Sequence, residues 1–289
     1  MSSPWLPPPS GQPPHVLAGW LDERISDIRE AHFRRVAELH SRLKTQLHAW
    51  DCAALAQACK ATSSAARDLR TTAPEQPRAL QGLPEAHGDE APGRFQDQFS
   101  ALCIVGTKAK RLLTDLSLNL RSQTSGMRKI IVELELEQGE MAREAEPGIG
   151  WLYELSRSLK QEDHSQSDYL RDLDAVAQYA HARLKSLLEL NALLEKIAVC
   201  SHDVLRRRTE WMDQLAKLFV QFEGGWRQDV GGMDPAITNL DPAKARHAVE
   251  VHSSLMSLLT GADSAGDALL GAEQRLERHI EAVRRLVNQ

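Results

Sequence analysis

The residues best suited to bind a metal ion are His48, Cys52 and Cys59. Steps of four and seven residues place this imidazole and the two thiols along one face of a predicted helix, and zinc accepts both ligand types. Zinc sites usually draw their ligands from tight turns, however, whereas two helical turns separate the two cysteines. We therefore predict two buried thiols beside an exposed histidine, and no metal site.

Patterns that would support catalysis do not occur in the sequence. None of the eleven histidines follows a glutamate by three positions, as the Glu-x-x-His pairs of di-iron bundles require. The glycine-rich segments 147–151 and 224–235 match neither phosphate-binding fingerprint, and there is no nucleophile elbow or catalytic cysteine signature. We expect a protein that is not an enzyme, with no catalytic residues, no cofactor-binding residues and no cofactor.

Charge and cysteine content restrict the partners and the compartment. The 35 basic and 40 acidic residues are interspersed and give a net charge of −5, which argues against nucleic acid as a partner. Arg206 to Arg208 form the only run of three basic residues. The four cysteines lack the spacing of a secreted disulfide scaffold, so we interpret them as reduced thiols.

The N-terminal residues 1–15 contain six prolines, which disfavour helix, and we predict a disordered tail there. This segment has neither the basic nor the apolar region of a signal peptide, and no apolar run approaches the roughly 20 residues that a membrane-spanning helix needs. We expect a soluble cytoplasmic protein, although export without a signal peptide would leave the same sequence.

Two long helices are predicted in the first half of the chain. The first should run over residues 16–71 with a kink near Asp51, and apolar residues at steps of three and four form its stripe. In its second half this stripe should consist of small residues, namely Ala54, Ala58, Ala61 and Ala65. A flexible linker, 72–93, should precede the second helix, 94–145.

Pro147 and Gly148 are expected to stop the second helix. Its last part, residues 133–146, holds six acidic residues and one basic residue. Because negative charge is unfavourable at a helix C-terminus, a basic group should lie nearby.

The central helix carries a seven-residue repeat from Leu173 to Phe222. The helix is predicted either to start near residue 150 with a weak interruption or to start near Asp168 after a separate short helix, and we prefer the second. Apolar residues occupy three adjacent registers of the repeat, which is wider than the seam of a two-stranded coiled coil and is typical of a bundle. Three polar residues interrupt this stripe: Asn191, Ser201 and Arg208. Asn191 is predicted either to set register or oligomeric state from a buried position or to bond solvent at the edge of the stripe.

A loop, 223–241, should lead to a last helix that begins at Pro242, with Asp241 as its cap, and ends near Val287. Four apolar stripes of similar length predict an all-α fold, an elongated up-down bundle of about four long helices with coiled-coil-like heptad packing. We expect residues 16–289 to form this single domain.

Long apolar stripes in a sequence without a catalytic or metal-binding motif favour a non-enzymatic helical scaffold that binds another protein or self-associates into an oligomer. The alternative is a leaderless exported helical protein that acts at a membrane surface, as a pore-forming toxin component or a secretion-system substrate. Its general shape resembles the soluble form of helical pore formers. The most apolar short segments, 101–106 and 197–200, are too short to insert as a hairpin.

Overall fold

The structure is a computed structural model that describes residues 14–49, 52–72, 90–161, 168–226 and 242–287. Within these ranges the fold is all-α, as predicted, and contains no strand. No helix in the described part of the chain is long and apolar enough to cross a membrane. The predicted N-terminal tail (except for its last two residues), Asp241 and most of the two predicted connections lie outside the described residues.

The described residues form five α-helices. Their bounds are α1 Pro14–His48, α2 Cys52–Thr72, α3 Glu90–Gln161, α4 Asp168–Gln221 and α5 Pro242–Val287, and a π-helical turn, Phe222–Trp226, follows α4 directly. The preferred start of the central helix at Asp168 and the start of the last helix at Pro242 are therefore confirmed. The separate short helix predicted before Asp168 is wrong, because residues 151–161 belong to α3.

The chain divides into two compact units. Unit 1 comprises residues 1–47, 125–202 and 275–289, and unit 2 comprises residues 48–124 and 203–274. Helices α3, α4 and α5 each contribute to both units, whereas α1 belongs almost entirely to unit 1 and α2 to unit 2. The single domain over residues 16–289 stays a prediction.

The first predicted helix is two helices, because α1 ends at His48 and α2 begins at Cys52. Helical periodicity does not carry across this interruption, so the alanine face predicted for the second half is only partly right. Ala58 is buried but Ala61 is exposed. The side chains that α2 buries instead are Cys52, Leu55, Ala56, Ala58, Cys59, Thr62, Ser63 and Ala66.

The prediction that Pro147 and Gly148 stop the second helix is wrong, because α3 continues through both residues to Gln161. Pro147 lacks an N–H, so the carbonyl of Arg143 loses its helical hydrogen-bond donor. Pro147 is exposed, and solvent can therefore replace that donor without a collision between the ring and a neighbouring helix. The buried residues on either side, Ala145 and Gly148, keep the apolar face of α3 continuous.

The stripe of the central helix is buried as predicted. Every residue at steps of seven from Leu173 to Phe222 is buried, including Leu187, Leu194 and Leu215. In unit 2 this stripe ends in an aromatic cluster: Phe219, Phe222 and Trp226 contact one another through an edge-on pair at 6.3 Å and a stacked pair at 5.1 Å. The seven-residue repeat of α4 therefore corresponds to real burial along the whole helix.

Candidate functional site

The thiols and the histidine singled out as metal ligands have the burial that was predicted. Cys52 and Cys59 are buried, whereas His48 is exposed. Burial is the largest cause that raises the pKa of both thiols, and it takes the pKa of Cys59 to about 12 with help from the charge of Asp263. Within the described ranges no group of three or more His, Cys, Asp or Glu side chains is arranged so that it could hold a metal ion.

The arginines of the basic run pair with acidic residues. Arg206 and Arg207 both donate to Asp203 on the same helix, at 2.7 and 2.9 Å. Arg208 is 4 % exposed and donates from Nε and Nη2 to Glu273 of α5, at 2.9 and 2.7 Å. These carboxylates neutralise the run locally, and one of its guanidiniums belongs to the core of unit 2.

The other two polar residues of the α4 stripe lie in unit 1. Ser201 is fully buried, and Asn191 is half-buried. Neither the Ser201 Oγ nor the Asn191 Oδ1 finds a hydrogen-bond partner in the described part of the chain. An unpaired buried acceptor lowers stability, so these two positions weaken the stripe locally.

The most highly charged buried group in unit 1 is the cluster around His32 of α1. The His32 ring is 0 % exposed, and its Nδ1 lies 2.5 Å from Glu137 Oε1 of α3, which is itself 5 % exposed. On the other side of the ring, Nε2 lies 3.1 Å from Glu144 Oε2. One buried imidazole thus links two carboxylates that are two helical turns apart on α3.

Two arginines of α1 extend this contact. Arg35 Nη1 lies 3.3 Å from Glu137 and 2.8 Å from Glu140, and Arg42 donates from both terminal nitrogens to Glu133, at 2.5 and 3.0 Å. The basic partner expected for the acidic segment of α3 therefore exists. The reason given for it was wrong, because α3 does not end there.

The protonation of His32 is set by two opposing effects. Burial of the ring lowers the pKa, but the hydrogen bonds and charges of Glu137 and Glu144 raise it more, so the pKa of His32 lies above its ordinary value of 6.5. Because an imidazole can donate from both nitrogens only when it is protonated, the geometry and the pKa agree on an imidazolium. We name this group, His32 with Glu137, Glu144 and Arg35, the His32 cluster.

Sequence reasoning missed the His32 cluster, although a signal was present. The predicted stripe of α1 passes from Ile28 to Val36, and His32 occupies the position between them. In the same way the stripe of α3 passes from Leu134 to Met141 over Glu137. Ionisable residues of opposite charge on two apolar stripes, here His32 and Glu137, indicate a buried ion pair.

A second feature of unit 1 is an exposed aliphatic surface on α3 and α4. Val132 and Leu136 of α3 are 53 % and 62 % exposed, and Val199 of α4 is 64 % exposed. The two helices are joined at this place by Glu135 and His202, whose Oε1 and Nε2 lie 3.2 Å apart. Val132 lies one helical turn from both Glu135 and Leu136, and Val199 lies one turn from His202. We call Val132, Leu136 and Val199 the aliphatic surface.

No protein-family model, curated protein or solved structure matches the chain.

Proposed function

We propose that the protein is a non-enzymatic helical scaffold that binds another protein through the aliphatic surface of unit 1. The observation that carries this proposal is the exposure of three large aliphatic side chains within one helical turn of the Glu135–His202 contact between α3 and α4. Single exposed aliphatic residues are ordinary, but a group of them is typical of a binding surface. The Glu135–His202 pair gives the surface a polar centre that a partner can use for orientation.

The packing within each unit supports an up-down bundle with heptad packing. In unit 1 contacts between α1 and α3 run in opposite chain directions, from the edge-on pair Trp20–Trp151 at 6.4 Å to Arg42–Glu133. In unit 2 contacts between α4 and α5 also run in opposite directions, from Arg208–Glu273 to Gln221–Ser254. Antiparallel neighbours with stripes at steps of three and four are what this architecture requires.

A photocrosslinker at position 136 of the full chain, introduced in the native cell, tests the proposal. A matched control carries the crosslinker at Leu118, which is 76 % exposed on the same helix but belongs to unit 2. We expect a discrete adduct with a partner, or with a second copy of the chain, at position 136 and not at position 118.

Purified proteins then decide whether the contact is a binding site. Leu136→Glu should weaken binding of the captured partner at least tenfold, because it introduces a charge into an apolar contact. A tenfold loss corresponds to about 1.4 kcal/mol of binding free energy. Leu118→Glu should leave binding unchanged. Equal loss with both variants, or no adduct at position 136, would contradict the proposal.

The alternative, a protein that acts at membranes, also needs an exposed apolar surface. Flotation of the purified chain with anionic and neutral vesicles separates the two proposals. If the chain floats with the vesicles and Leu136→Glu abolishes this binding, the membrane alternative is favoured. The scaffold proposal predicts that the chain does not float with either type of vesicle.

A further inference from the structure

We propose that the His32 cluster is a proton-dependent clasp between α1 and α3: protonated His32 holds Glu137 and Glu144 together, and loss of the proton releases Glu144. This is a conformational device of unit 1 that does not depend on the proposed partner. It rests on the geometry of one buried ring between two carboxylates.

The number of N–H groups on the ring carries the argument. An imidazolium has two N–H donors, one for each of the two carboxylates at 2.5 and 3.1 Å. A neutral imidazole has only one N–H, and its other nitrogen then presents a lone pair. A carboxylate that faces this lone pair loses a hydrogen bond and is repelled, so one of the two contacts has to open.

The contact that opens is the one with Glu144. Glu137 is 5 % exposed and keeps Arg35 Nη1 at 3.3 Å when His32 is neutral. Glu144 is 38 % exposed, so its carboxylate can turn to solvent at small cost. Deprotonation therefore changes two hydrogen bonds of α3 to His32 into one, and the one that is lost is the bond to Glu144.

The charges that act on His32 come from two helices. They are Glu137 and Glu144 of α3, with Arg35 of α1 bound to Glu137. The other elements of unit 1 place their charged contacts with α1 elsewhere. Arg183 of α4 bonds Asp22 and Ser26 and acts on Arg29, and Glu281 and Arg284 of α5 act on His40.

The sign of the pH dependence follows from the direction of the shift. Because the pKa of folded His32 lies above the unfolded value of 6.5, its contribution to stability is complete below pH 6.5 and is lost as the pH rises through the folded pKa. Two other histidines of unit 1 act in the opposite sense. Burial first, and then nearby cations, lower the pKa of His40 and His279, so their contributions are complete above pH 6.5 and are lost on acidification.

Ring ¹⁵N shifts of the full chain, recorded by NMR across a pH titration, test the clasp directly. We expect His32 to titrate above 6.5 and to pass to a single N–H form, while His40 and His279 titrate below 6.5. Glu144→Gln removes one of the two acceptor charges at a partly exposed position, so it should shift the titration of His32 to lower pH and leave that of His40 unchanged.

Urea unfolding supplies the second measurement. The difference in midpoint between the wild type and His32→Gln should be largest below pH 6.5 and should shrink as the pH rises. The matched control is His202→Gln, which removes a histidine that also faces a glutamate of α3 but is 59 % exposed. It should give a smaller difference in midpoint than His32→Gln below pH 6.5, because an exposed ion pair contributes little to stability. Titration of His32 at or below 6.5, or an unchanged His32 titration in Glu144→Gln, would overturn the proposal.

Discussion

Gly106 of α3 lies against the aromatic cluster of unit 2, and its replacement by alanine tests how tightly that cluster is packed. A Cβ at this position would lie 2.6 Å from Cζ and 2.9 Å from Cε1 of Phe222. Contacts this short cannot persist, so either the ring or the helix has to move. The ring is 1 % exposed, and it is held by the stacked Trp226 on one side and the edge-on Phe219 on the other.

Two effects of opposite sign determine the result of Gly106→Ala. Alanine is favoured over glycine inside a helix by about 1 kcal/mol. Overpacking of a well-packed core costs about 1–3 kcal/mol. We therefore expect Gly106→Ala to lower the free energy of unfolding by up to about 2 kcal/mol. Gly139→Ala on the same helix has only the favourable effect, because nothing lies within 4 Å of the added Cβ.

Urea unfolding of the two variants, followed by circular dichroism and by tryptophan fluorescence, gives the comparison. We expect Gly139→Ala to be more stable than Gly106→Ala by about 1–3 kcal/mol, the whole steric cost. A double variant with Phe222→Leu should recover part of the loss, since a smaller side chain leaves room for the methyl group. Equal stabilisation by both alanines would refute the close packing of Gly106 against Phe222.

Three further predictions concern the buried side chains of unit 2 and the cysteines of both units. Arg208→Met should cost about 1–3 kcal/mol in urea unfolding because it leaves the partly buried Glu273 without Arg208, and the double variant with Glu273→Leu should recover most of that loss. Trp211→Phe should cost about 1 kcal/mol in the same assay, since Trp211 Nε1 donates to the Ala262 carbonyl at 2.9 Å. Reaction with a thiol reagent should be fast at the two partly exposed cysteines and slow, limited by opening of the fold, at the two buried ones. The fast pair is Cys103 and Cys200, and the slow pair is Cys52 and Cys59.

The helices were predictable where one dense stripe determines burial. The seven-residue repeat of α4 keeps one phase from Leu173 to Phe222 in spite of its three polar residues, so the buried face could be predicted from the spacing of the apolar residues. Local effects at single residues were not predictable in this way. Pro147 stops a helix or is tolerated according to whether its ring meets solvent or a neighbouring helix, and that depends on tertiary packing.

The candidate site was less predictable than the fold. The burial of Cys52 and Cys59 followed from their helical spacing, but the two buried ion pairs required knowledge of which helices are neighbours. Arg208 was placed on the stripe of α4 before its partner Glu273 was known. The burial of His32 was not predictable, because its partner Glu137 lies 105 residues away and the sequence does not show that the two helices are neighbours.

The His32–Glu137 pair also bears on how α1 finds its place along α3. Stripes that repeat every seven residues can be superimposed again after one helix slides by one heptad, about 10 Å. Such a slide would bring Ile25 or Leu39 into the place of His32 and would deprive the buried Glu137 carboxylate of its imidazole partner, at a cost of several kcal/mol. We expect this pair to select one alignment out of several that apolar contacts alone would accept. Replacing both His32 and Glu137 by leucine should preserve the helical content and broaden the distribution of distances between spin labels on α1 and α3.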